Sequence, residues 1–168
     1  MHPREICCCF SGHRPNRLPW GSRESDERCL DLKGTLADTL EDLYGRGFRH
    51  FICGMAQGCD FYFAEAVLAL REKYPHITLE AAVPYPGQAD SWPMEQRQRY
   101  ERILSRCARV TVVQEQYSRS CMLERNRYMV DRCDVLLVGY NEQSGGTLYT
   151  INYARKKSRE MILLPIPE

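Results

Sequence analysis

The sequence has no stretch near the roughly 18 apolar residues that would cross a bilayer as a helix, no excess of either charge and no C-x-x-C pair. The first absence predicts a chain with no membrane-spanning helix. The second follows from 23 lysines and arginines set against 22 acids. Without a global field, attraction to a polyanion has to be local, and nucleic acid is disfavoured as a partner. The third bears on the nine cysteines, at positions 7, 8, 9, 29, 53, 59, 107, 121 and 133. Their odd number and their place inside apolar runs argue against a disulfide framework. Cys7, Cys8 and Cys9 lie on one extended run, where successive side chains point to opposite faces and do not converge on one ion. No metal site is expected, and the thiols read as small core hydrophobes of a reducing, cytoplasmic compartment. Arg4 and Glu5 precede only a short apolar stretch, so no secretory leader is read there. Internal repeats, low-complexity tracts and long linkers are missing too.

What is present fits one α/β domain: 168 residues, 43% of them hydrophobic, are enough for a sizeable core. Short apolar runs at 5–10, 48–53, 77–83, 109–113, 134–138 and 161–164 alternate with longer amphipathic segments. That alternation predicts strands and helices around a mostly parallel, doubly wound sheet in three layers, Rossmann-like, with about six strands. Helical spacing places Leu36, Leu40 and Leu43 on one buried stripe, Phe63, Ala66, Val67 and Leu70 on a second, and Tyr100, Ile103, Leu104 and Cys107 on a third. Met122, Met129, Val130 and Cys133 mark a fourth helix, with Asn126 on its buried stripe in need of partners. A last helix is read from Thr147 to Lys157, its basic end at Arg155, Lys156 and Lys157 suiting a helix C-terminus. The polar segment from Pro15 to Glu27, broken by Pro19 and Gly21, reads as a surface loop or a flap.

In an open parallel sheet, ligands bind beyond the carboxyl ends of the strands, where helices begin and amide hydrogens are unpaired. Four glycine-bearing loops fall there: Ser11-Gly12-His13-Arg14, Gly54-Met55-Ala56-Gln57-Gly58-Cys59-Asp60, Pro84-Tyr85-Pro86-Gly87-Gln88 running on to Trp92, and Ser144-Gly145-Gly146-Thr147. Gly54 and Gly58 bracket a strand-to-helix turn in which backbone amides can approach an anion. Asp60, in the first helical turn, suits either a helix cap or a ribose hydroxyl. Gly145, Gly146 and Thr147 open a helix and form a candidate phosphate cradle. Arg14 can grip phosphate in two-point geometry, His13 can donate or accept, and Tyr85 and Trp92 offer flat faces to a base, although Trp92 also suits a core plug. Arg125 and Arg127 flank Asn126, one of them facing the site.

The segment Gly54 to Asp60 with Ala64, then Glu124-Arg125-Asn126-Arg127-Tyr128, then Val135 to Val138 and Ser144 to Leu148, resembles the Rossmann domain of the DprA/Smf proteins. With Ser11 to Arg14 and the Pro84, Gln88 and Trp92 loop added, the whole chain is similar to the YpsA-like family of the SLOG superfamily, which also holds the LOG phosphoribohydrolases. The resemblance implies a bacterial Rossmann-like domain acting as a sensor or regulator. Its ligand would be a nucleotide or a derivative of the ADP-ribose or nucleotide-sugar class, with no further cofactor required. Carried over by position, it implies contacts from Gly54, Gly58, Asp60, Arg125, Asn126, Gly145, Gly146 and Thr147, and a homodimer. The LOG motif GGxGTxxE ends in a catalytic glutamate, and the matching position here is Thr150. A hydroxyl does not replace a carboxylate there, which disfavours N-glycosidic hydrolysis by that route and leaves Glu65, Asp60 and Glu142 as the remaining acids. Single-stranded DNA binding of the DprA kind is the third reading, opposed by the balanced charge.

Overall fold

The computed structural model describes residues 6–141 and 145–168. Six strands form one sheet: β1 (Cys7–Ser11), β2 (His50–Cys53), β3 (Thr78–Val83), β4 (Arg109–Val112), β5 (Val135–Tyr140) and β6 (Glu160–Pro165). Their spatial order is β4-β3-β2-β1-β5-β6, and every neighbouring pair is parallel. The strand bounds agree with the apolar runs to within the one or two residues by which such ends ordinarily vary. Five helices alternate with them: α1 (Glu27–Gly45), α2 (Cys59–Lys73), α3 (Met94–Arg106), α4 (Cys121–Arg132) and α5 (Gly146–Lys156).

Right-handed crossovers between parallel strands decide which face each helix covers. From β1 the chain steps through β2 and β3 to β4, laying α1, α2 and α3 on one face; it then returns past β1 to β5 and β6, laying α4 and α5 on the other. The inner strands β1, β2, β3 and β5 therefore feed two cores, while the edge strand β4 is largely exposed. Cys8 and Phe10 of β1 pack with Leu36, Leu40, Phe63 and Ile103, whereas Cys7 and Cys9 pack with Met129, Val130 and Ile151. The adjacent cysteines are divided between faces by the pleat, and all nine cysteines are free thiols.

The segment from Pro15 to Asp26 is held down. It opens with a short 3-10 turn, Pro15–Arg17, then buries Leu18 and Trp20, whose indole N–H donates to Tyr62 Oη at 3.1 Å. Asp26 caps α1 by accepting from the Arg28 amide at 2.9 Å, which ends the irregular stretch. Of the two expectations for this segment, a strapped surface loop describes it better than a flap.

Candidate functional site

Strands β1 and β5 are neighbours, yet the chain leaves them toward opposite faces of the sheet. At such a switch point the connecting segments diverge and leave a crevice. Here the crevice is a hollow of about 320 Å³. Ser11, Gly12, His13 and Arg14 line it from the end of β1, Ala56 and Asp60 from the β2–α2 turn, Arg125 and Asn126 from α4, and Gly146 and Thr147 from the start of α5.

Two opposite charges are buried in its wall, Arg125 and Asp60, only 4% and 6% exposed. They make no ion pair with each other. Arg125 donates from Nε to Asn126 Oδ1 at 2.8 Å and from Nη1 to the Gly54 carbonyl, while Nη2 points at the Met122 thioether 3.9 Å away. Arg14 sends its own Nη2 to the same sulfur at 3.6 Å. A thioether is a weak acceptor, so two guanidinium groups converge on a point that a strong acceptor would fill better. Asp60 Oδ2 accepts from the Ala56 amide at 3.0 Å. The residue therefore ties the β2–α2 turn, and the helix-cap expectation is set aside. Burial pushes the Asp60 carboxyl above its ordinary range, against the pull of Arg125, Ala56 N–H and Arg14. Burial likewise pulls Arg125 down, opposed chiefly by Asp60.

His13 is 3% exposed and its Nε2 has no hydrogen-bond partner. Burial lowers its pKa, outweighing Asn141 beside it, and the Arg17 charge acts in the same direction as burial. The His13 Nε2 thus stands beside Asn141 with no hydrogen bond of ordinary geometry, in a residue that lines the hollow. The β1 loop that carries it is pinned where Cys59 N–H donates to the His13 carbonyl at 3.1 Å. That approach explains Gly58: its φ is +87°, and a Cβ there would lie 2.8 Å from the same carbonyl oxygen. Gly54 is constrained from the other side, because a Cβ would sit 2.8 Å from the Arg125 guanidinium carbon.

Several residues expected at the site hold the wall from behind. Gly54 and Gly58 shape it as described. Gln88 is buried, donates to the Gly54 carbonyl at 3.4 Å and leaves its Oε1 unpartnered. Met55 is fully buried in the core at φ +63°, its amide directed at Cys53 Sγ 3.4 Å away, so it does not face the hollow. Pro84 is buried and its carbonyl accepts from Gln114 at 3.1 Å; Tyr85 leans on Tyr117 with ring centroids 5.4 Å apart. Neither lines the hollow, because α4 rather than the β3–α3 loop closes that side. Gly145 lies against Arg17, and Trp92 borders an adjoining hollow. Ser144 and Glu142 lie outside the described residues.

One candidate acid, and the threonine at the position of the LOG glutamate, also lie away from the hollow. Glu65 is on the outer side of α2, paired with Arg99 at 2.5 Å, and Thr150 is buried with its hydroxyl donating to the Gly146 carbonyl at 2.9 Å. Asp60 is the carboxylate that lines the hollow among the described residues. Sequence reasoning missed Asn16, Arg17, Met122 and Leu123 in the lining. Met122 was assigned to the buried stripe, yet it stands one helical turn before Arg125, a spacing that puts both on one face. Among the described residues no cluster of metal-ligating side chains occurs, and no helix is long and apolar enough to cross a membrane.

A parallel sheet in this order, with a charged hollow at its switch point, defines an α/β domain of the Rossmann-like class. Within that class the chain belongs to the YpsA family: the family profile, described as "YspA SLOG family", matches residues 8–164. It is similar to an uncharacterized SPbeta prophage-derived protein, YoqJ, of Bacillus subtilis, at 30% identity over 140 residues, covering 76% of this chain and 82% of that one. A UPF0398 protein of Lysinibacillus sphaericus is 24% identical over 153 residues, 90% of this chain and 85% of its own. Among solved structures, DNA processing protein A (DprA) of Streptococcus pneumoniae superposes with a TM-score of 0.62 at 17% identity, over 96% of this chain and 50% of that one. The Helicobacter pylori DprA structure gives 0.65 at 16% identity, over 95% and 65%. The chain thus spans half to two thirds of these DprA chains, and the likeness is one of fold.

Proposed function

We propose that the domain binds a small phosphate-bearing ligand of the nucleotide class at the switch-point hollow and serves as a sensor or regulator. The observation that carries this reading is the convergence of Arg14 and Arg125 on the Met122 sulfur. A phosphate oxygen is a far stronger acceptor than a thioether and would take up charge-assisted hydrogen bonds from both guanidinium groups. The start of α5 at Gly146 and Thr147 adds unpaired amides and the positive end of a helix. Across the hollow, the Asp60 carboxylate suits a sugar hydroxyl and repels a second anion, which orients the ligand. Isothermal titration with AMP, ADP-ribose, NAD and a nucleotide sugar is the test. Binding in the micromolar range, weakened roughly tenfold to a hundredfold by Arg125→Met, is the expected result. Absence of binding across the panel would refute it.

A second reading is single-stranded nucleic acid. The H. pylori DprA structure is described by its single-stranded DNA binding mode, and here Tyr117, 66% exposed, stands beside Tyr85 at the same end of the sheet. Exposed aromatic rings near arginines suit unstacked bases. The balanced net charge, a sum over the whole chain, does not decide a local surface. A gel shift with short oligothymidylate at low salt separates the readings, since retardation abolished by Tyr117→Ala supports this one and no retardation ends it.

A further inference from the structure

A second hollow, of about 330 Å³, adjoins the first and is lined by Arg14, Pro15, Asn16, Ser22, Gln57 and Trp92. Arg14 and Asn16 belong to both walls. We propose that this hollow is a subsite for a flat heteroaromatic ring against Trp92, so that the ligand is of the dinucleotide class, with two ring systems joined by a phosphate bridge passing Arg14. The inference rests on the reading of the first hollow as a phosphate site.

Three observations carry it. The Trp92 indole is half-buried and meets its aromatic neighbours edge-on, Phe61 at 5.9 Å and 77° and Tyr100 at 5.5 Å and 83°. Among the described residues no aromatic ring lies parallel to it; one part of the indole packs against the core and another borders the hollow. Around it, the exposed side chains of Asn16 and Ser22 and the half-buried Gln57 are bonded to solvent and not to other described residues, and such amide and hydroxyl groups supply both donors and acceptors to the edge of a heterocycle. Finally, ligand sites commonly measure about 300–1,000 Å³. Each hollow falls within that range, and the guanidinium of Arg14, shared by both walls, stands where a bridging phosphate would pass.

The probes are AMP, which fills one hollow, and NAD and diadenosine diphosphate, which reach both. NAD or diadenosine diphosphate should bind about tenfold tighter than AMP, the gain expected of one added ring stacking on an aromatic side chain. Either should quench tryptophan fluorescence in the wild type and not in Trp92→Phe. Trp92→Leu should remove the tenfold advantage, bringing the dinucleotides to the affinity of AMP, while Trp92→Phe, which keeps a ring and guards against misfolding, should retain most of it. Equal affinities for AMP and the dinucleotides, unaffected by either Trp92 variant while Arg125→Met still abolishes both, would overturn the subsite and leave the first hollow standing. If no phosphate probe binds, both readings fall together. Quenching by oligothymidylate and not by the dinucleotides would assign Trp92 to nucleic acid and overturn the proposal.

Discussion

Glu80 and Arg125 are charged side chains buried to nearly the same degree, 2% and 4% exposed, yet the protein treats them in opposite ways. Glu80, on β3 beneath α4, receives His50 Nε2 at 3.1 Å, Thr111 Oγ1 at 3.1 Å and Tyr128 Oη at 2.6 Å, with Arg109 at 4.0 Å. His50 is itself tied through Nδ1 to Thr78 at 2.7 Å. Every partner is a good one and every partner is protein. Arg125 bonds Asn126 and the Gly54 carbonyl through Nε and Nη1 but turns Nη2 to a thioether, and His13, in the same hollow, leaves a nitrogen unpaired. A buried polar group whose bonds are completed internally is a brace; one left short of strong partners is waiting for a ligand. The two are also connected, because Tyr128 lies one helical turn beyond Arg125 on α4, so the Glu80 brace fixes the helix that carries the site.

The sharpest way to break this contrast is to unfold two variants in urea. Glu80→Ala leaves three donors unserved and should cost about 3 kcal/mol, whereas Arg125→Met, which deprives Asn126 Oδ1 of its donor but also removes a buried charge and leaves the Gly54 carbonyl to Gln88, should cost about 1 kcal/mol in the free protein. Equal losses would show that the hollow is as structural as the brace. Tyr128→Phe should follow with about 1 kcal/mol, the worth of one hydrogen bond. It should also weaken the nucleotide ligand several-fold by loosening α4; unchanged affinity would disconnect the brace from the site.

The smallest effect is on pH dependence, and the two regions should slope in opposite directions. Burial raises the Glu80 pKa, but the bonds from His50, Tyr128 and Thr111 outweigh it and hold the carboxyl below its ordinary 4.5. Its contribution is therefore complete above that value and is lost as pH falls through the lower folded pKa. Asp60 is raised above its ordinary 3.8, so its folded carboxyl takes up a proton first, and stability is gained as pH falls from the folded pKa toward 3.8. Melting temperatures between pH 6 and 3 should fall less steeply in Glu80→Gln than in the wild type, and more steeply in Asp60→Asn. Parallel curves for all three proteins would deny the contrast.

The strands, the helices and the end of the sheet that carries the hollow were legible in the sequence, since apolar periodicity and strand-to-helix glycines are local signals. Gly12, His13, Asp60, Arg125, Asn126 and Thr147 were legible as residues of that edge. What was not legible is which of them face inward. Met55 carries the same loop signature as Ala56, yet one lies in the core and the other on the wall; a backbone turned to φ +63° decides between them. Gln88 and Gly54 lie behind the wall, where one bonds the carbonyl of the other. Met122 was read as core and is the sulfur on which two arginines meet.

By itself, the sequence determined a parallel α/β sheet and the edge on which polar residues gather, because hydrophobic spacing and glycine placement act over a few neighbouring positions. Only the tertiary structure decided that β1 and β5 stand side by side, that α4 closes the crevice where the β3–α3 loop was expected, and that Asp60 and Arg125 share a hollow without touching. Those facts depend on contacts between residues separated by most of the chain, whose distances and bonding partners are set by the packing of whole elements and leave no periodic trace in the order of amino acids.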